Sequence, residues 1–126
     1  MHVVCFVLGG FLLFASGLRA HLIYLSIVDT FPPQFQDDLS SRYAFPVLVF
    51  SRSTPLSLQA EYMKSALTGW VGWLCISAGS FFAGKFVFGY FTLAGLAYGC
   101  YWLLNAWKTY QANCEPQLDQ DQLEDT

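Results

Sequence analysis

Four cysteines and two histidines are the residues of this chain best equipped for metal, haem or thiol chemistry. Their spacing supports none of it. A bis-histidine haem site needs two imidazoles on one iron, and His2 and His21 lie on one apolar segment, about 28 Å apart if it is helical. Cys5, Cys75, Cys100 and Cys114 form no C-x-x-C pair, and no Cys/His spacing matches a tetrahedral zinc site. Cys75 and Cys100 flank a predicted turn at Lys85 unequally, which leaves them roughly 7 Å apart in depth and outside disulfide geometry. Cysteines in such settings are small apolar fillers. Cys114, shortly after Lys108, has the juxtamembrane placement that S-palmitoylation uses.

Hydroxyl and carboxylate chemistry fares no better. Ser41, Asp38 and His21 can be assembled on paper into a catalytic set, but no G-x-S-x-G, H-E-x-x-H or phosphate-binding loop occurs. The sequence therefore predicts no enzyme, no catalytic residue, no cofactor and no metal. Asp37 and Asp38 read instead as a solvated turn or helix start.

The elements that would have to position any site are set by where the charges are missing. The chain has 126 residues, 55% apolar and 18% aromatic, with six basic and nine acidic side chains and a net charge of -3. Soluble domains carry about a quarter of their residues as charges, so this is too apolar for one. It is also too poor in base for a nucleic-acid module. Ser65 to Gly84 holds no charge, and neither does Phe86 to Trp107. Each stretch reaches the roughly 20 residues that a bilayer-spanning helix needs. Met1 to Leu18 is a third, and apolarity resumes after Arg19 as far as Val28. The expected fold is thus all-α: an integral membrane protein with three transmembrane helices, the second and third forming a tight antiparallel hairpin.

Residues 1–28 make the first span. Ala15-Ser16-Gly17 has the small side chains of a signal-peptide cleavage site, but no base precedes the apolar run and Arg19 follows it, which favours a retained helix. Arg19 then snorkels towards the head groups. Residues 29–54 form a loop, opened by Pro32-Pro33, whose missing donors end the helix. Within it, 43–50 is too short to cross and is expected at the membrane surface or packed beneath the spans. Thr54-Pro55 reads as an N-cap and first helical position. Residues 55–108 are then an interfacial start followed by the hairpin, turning at 84–86. Gly84 suits a left-handed C-cap, and Lys85 complements the helix dipole. Residues 109–126, rich in acid, are expected to be a disordered tail that solubilises the end or docks a basic partner.

The sharpest remaining pattern is one of small residues. Ser65, Gly69, Gly72, Gly79 and Ala83 share one face of the second span, and Thr92, Gly95 and Gly99 share one of the third, with Gly95 to Gly99 a G-x-x-x-G. In lipid no hydrophobic force joins helices, so small residues that let backbones approach mark packing faces. These faces serve either the hairpin itself or a partner. Trp70, Trp107, Arg19 and Lys108 read as interfacial anchors.

Basic residues near the span ends favour the loop and tail in the cytoplasm, with the N-terminus and hairpin turn outside. The expected function is a non-enzymatic accessory, assembly or regulatory subunit, partnered by the lipid bilayer and by other membrane proteins or itself, with no nucleic acid. The alternative is a small homo-oligomeric channel or transporter with its pathway at the subunit interface, lined by Thr68, Ser77, Ser80, Thr92 and Asn105.

Overall fold

The computed structural model describes residues 1–124, with side chains as far as Glu115. Among these residues the protein is all-helical, with four α-helices and no strand: α1 (His2–Ile27), α2 (Asp38–Leu48), α3 (Leu56–Phe82) and α4 (Phe86–Glu124). Single 3-10 turns, Val28–Thr30 and Pro33–Phe35, carry the chain from α1 to α2. Three of the helices, α1, α3 and α4, are long and apolar enough to cross a membrane. At 1.5 Å per residue they measure about 39, 40 and 58 Å, against a hydrocarbon core of about 30 Å. Each is therefore longer than a bilayer needs.

Helix ends follow from local chemistry. The side chain of Asp37 accepts a 3.1 Å hydrogen bond from the Ser40 amide and starts α2 as its N-cap. Pro46 lies inside α2 and removes one backbone donor, and the helix stops two residues later at Leu48. The start of α3 differs from the expected cap. Pro55 is the N-cap, and Thr54 turns its hydroxyl back to the Leu48 carbonyl at 3.3 Å. Gln59 performs the tying-down instead. Its amide donates to the carbonyls of Thr54 at 2.9 Å and Ser51 at 3.2 Å.

The reversal between α3 and α4 occurs at Gly84, whose φ of 70° is the only positive value among the described residues. The Gly84 amide bonds to the Phe81 carbonyl at 3.0 Å and the Lys85 amide to the Ser80 carbonyl at 2.9 Å. This paired closure satisfies two helix-end carbonyls and needs a left-handed residue between its donors, which a glycine supplies without strain.

α3 is the hub: α1 packs along one side and α4 along another. At the end far from Gly84 the helices are joined by an aromatic core that continues edge-to-face from α1 to α4. Tyr24 meets Phe45 at 5.5 Å, Phe45 meets Tyr62 at 5.0 Å, and Tyr62 meets Trp102 at 6.1 Å, with Phe50 between the last two. The segment 43–50, expected at the membrane surface or beneath the spans, supplies Phe45 and Phe50 to this core from α2 and its exit, while Tyr43 and Val47 face outward.

The tail expectation is corrected over 109–115. That segment continues α4 as helix, held where Asn113 donates to the Phe50 carbonyl at 2.9 Å and to Oε1 of the buried Gln59 at 3.1 Å. The backbone of α4 is helical to Glu124, and the expectation for Asp125 and Thr126 lies outside the described residues.

Candidate interaction surface

The small residues singled out from the sequence separate into two groups. On α3, Ser65, Gly69, Gly72 and Gly79 are buried against α1. A Cβ on Gly72 would lie 3.0 Å from the Gly9 carbonyl oxygen and 3.1 Å from Leu12 and Leu13 side chains. One on Gly9 would lie 2.7 Å from the Gly72 carbonyl oxygen. The two backbones touch, and only glycine at both positions allows it. Above this contact, Ser16 Oγ donates to the Ser65 carbonyl at 2.7 Å, and Ser65 Oγ donates to the Ser16 carbonyl at 2.8 Å. Gly69 takes the Ser16 hydroxyl into the space its side chain would fill, and Gly79 does the same for Cys5. Ala83 stands outside the seam as the C-cap of α3.

On α4 the outcome is different. Thr92 is buried, its hydroxyl 2.8 Å from the Gly89 carbonyl and 3.0 Å from Ser77 Oγ. Gly99 faces a side chain rather than a backbone: the space for its Cβ ends 3.1 Å from Cδ1 of Trp70. Gly95 faces nothing, with no atom within 4 Å of where a Cβ would stand. The G-x-x-x-G of α4 is therefore not a backbone contact within the hairpin.

Trp70 explains the difference. Its indole N–H donates to the Leu96 carbonyl at 3.1 Å, so the ring is wedged between α3 and α4. The donor that a head-group anchor would offer is thus engaged inside the protein. Gly95, Gly99, Trp70, Trp73, Tyr98 and Trp102 line a lateral groove of about 360 Å3, bordered on the α1 side by Leu13 and Ser16. The other proposed anchors, Arg19, Trp107 and Lys108, are exposed.

Of the five polar residues proposed for a conducting path, four have their hydroxyls hydrogen-bonded within the protein, and Asn105 is exposed. Ser77, Ser80 and Thr92 are buried, and Ser80 donates to its own helix at Ile76, as Thr68 does at Lys64. No described buried side-chain nitrogen or oxygen lacks a partner. His21 stacks on Tyr24 at 6.1 Å and is exposed. The four cysteines are free, and no three described His, Cys, Asp or Glu residues come together as a metal site.

Sequence reasoning missed the aromatic core and the Gln59–Asn113 clamp. The only local signal was aromatic density, since the partners lie far apart along the chain. The long-range hydrogen bonds of Asn113, for example, span 54 and 63 residues. Compared with protein families, curated proteins and solved structures, the chain shows no match.

Proposed function

We propose that α1, α3 and α4 cross the bilayer and that the protein is a non-enzymatic accessory, assembly or regulatory subunit, acting by helix packing on other membrane proteins. The observation that carries this reading is the open face of α4. Gly95 lies in a groove whose rims are bulky aromatic side chains, while every comparable glycine of α3 is already covered. A helix entering this groove gains the close approach that small residues permit, and the aromatic rims add contact area at little entropic cost. Loop and tail on the cytoplasmic side remain part of the proposal, from the distribution of basic residues.

The channel alternative draws less support. Its candidate lining groups Ser77, Ser80 and Thr92 are hydrogen-bonded inside the helix pair, and no Asp, Glu, Lys, Arg or His lies between Lys64 and Lys85 or between Lys85 and Lys108. A polar path through lipid needs such groups facing it.

The test is recovery of partners from protein extracted in mild detergent, with its native mass measured and co-purifying proteins identified. Gly95→Leu is the informative variant, since it fills the groove without touching the fold. A stoichiometric membrane partner in the unsubstituted protein, lost in Gly95→Leu, is the expected result. A clean homo-oligomer that passes ions across liposomes would overturn the reading.

A further inference from the structure

α2 has two apolar faces, and the protein covers only one of them. Ser41 and Phe45 turn inward and are buried, the Ser41 hydroxyl 2.6 Å from that of Tyr24. Leu39, Tyr43 and Val47, spaced by four on the opposite side, are 68%, 80% and 74% exposed. Asp38 and Arg42 pair at 3.2 Å along one flank between the two faces, and both are exposed. A helix lying on a protein in water carries polar residues on its outer face. This one keeps its charges at the flank and presents leucine, tyrosine and valine outward.

The position of α2 decides what that outer face meets. Phe45 meets Tyr62, two residues from Lys64, and Phe50, just past the helix, meets Trp102, six residues inside Lys108. At 1.5 Å per residue these offsets are about 3 and 9 Å, so α2 lies level with the ends of the charge-free runs. The helix also stands beside the spans and not beneath them. Pro46 and Val47 are across a crevice of about 420 Å3 from Trp102, Asn105 and Thr109, one flank of α4, and α4 runs on past that flank to Glu124. At the same depth Leu104 and Trp107 of α4 are exposed too. A lateral face at that level meets whatever surrounds the spans, which is the glycerol and upper acyl region of one leaflet. Tyr43 suits that region, with an apolar ring and a hydroxyl for the head groups.

We propose that α2 is an interfacial helix, its Leu39–Tyr43–Val47 face inserted into one lipid leaflet and its Ser41–Phe45 face bound to the spans. The segment 43–50 is then both packed and at the membrane surface, by opposite sides of one turn of chain. The inference rests on the membrane-spanning reading and not on the accessory role, so failure to recover a protein partner leaves it standing.

Nitroxide labels in liposomes test it, with oxygen as the apolar relaxant and a nickel chelate as the aqueous one. They are placed through Leu39→Cys, Tyr43→Cys and Val47→Cys, one at a time, on a full chain whose own four cysteines are replaced by alanine. Asp38→Cys serves as the flank reference and Leu93→Cys as the reference inside α4. Labels at 39, 43 and 47 are expected about 5–10 Å into the boundary between head groups and acyl chains, with Asp38→Cys in water and Leu93→Cys deeper than all of them. Aqueous access at 39, 43 and 47 equal to that of Asp38→Cys overturns the proposal. Exclusion of both relaxants overturns it as well, because protein would then cover the face. A deep Leu93→Cys in either case leaves the spanning reading intact, whereas a water-exposed Leu93→Cys removes that reading and the proposal with it. The unsubstituted chain gives a second measurement, by photolysis with a phospholipid that carries a diazirine next to its glycerol. Trypsin then releases 43–52 between Arg42 and Arg52, and 86–108 between Lys85 and Lys108. Both peptides should be modified, and an unmodified 43–52 beside a modified 86–108 overturns the proposal.

Discussion

The α1–α3 and α3–α4 contacts are made from similar small residues and end differently. Against α1, the glycines of α3 meet another backbone, and the seam closes with Gly9 on Gly72 and the reciprocal bonds of Ser16 and Ser65. Against α4, the tryptophan at position 70 stands between the helices, uses Gly99 as its seat, and leaves Gly95 beside an open groove. A stripe of small residues thus states that a close approach is permitted there. The facing residue decides whether backbone, indole ring or another molecule takes the space.

Four expectations break or sharpen this contrast. The largest effect belongs to Gly72→Leu, where the new side chain meets the Gly9 carbonyl, a backbone group that cannot swing aside, as well as the Leu12 and Leu13 side chains. Overpacking of this kind costs about 3 kcal/mol. Gly95→Leu should cost under about 0.5 kcal/mol, as exposed substitutions do. Thermal unfolding in one detergent compares the two, and equal losses would erase the distinction between closed seam and open groove. Trp70→Ala comes next, at about 2 kcal/mol, roughly half the cost of truncating a fully buried tryptophan. It should loosen α4 and leave the α1–α3 seam intact, which hydrogen exchange resolves helix by helix.

A double-mutant cycle on Ser16→Ala and Ser65→Ala should give a coupling of about 0.6 kcal/mol, the average for hydrogen bonds between membrane helices. A coupling near zero would leave the seam to glycine packing alone. The smallest effect lies outside the helix pairs, at Asp37. Its carboxyl is held below the usual carboxylate range by its hydrogen bonds with Ser40. A depressed value means that the cap stabilises α2 above the unfolded carboxylate range and is lost as pH falls through the folded value. Amide exchange in the first turn of α2 should therefore quicken on acidification, and Asp37→Ala should remove that dependence. The two seams carry no such group and should not respond.

The three long helices and the turn were legible because their signals are local, whereas α2 lies within what the sequence suggests is a loop. A charge-free run sets a span, and Gly84 before Lys85 marks a reversal whatever the rest of the chain does. Asp37 likewise needs only Ser40 three residues on. The contact partners were not legible, because Gly69 and Gly95 look alike in sequence and differ only in what stands opposite them. Trp70 reads as an anchor from its type and position, and its hydrogen bond to the Leu96 carbonyl is a contact that no local signal contains. The helical continuation past residue 109 depends on Asn113 reaching Gln59 and Phe50, a pairing no local rule contains.

The two seams also differ in when they can form. Contacts between α3 and α4 join residues such as Ser77 and Thr92, 15 apart, or Trp70 and Leu96, 26 apart, whereas Ser16 and Ser65 are 49 apart. Shorter loops close more readily, so the hairpin assembles as a unit and α1 joins it by the longer closure. Synthesis runs in the opposite order, since α1 leaves the ribosome first. Until α3 is made, Gly9 and Ser16 stay uncovered on a lone helix, and during that interval the first helix is as available to a neighbouring protein as the groove at Gly95 is afterwards.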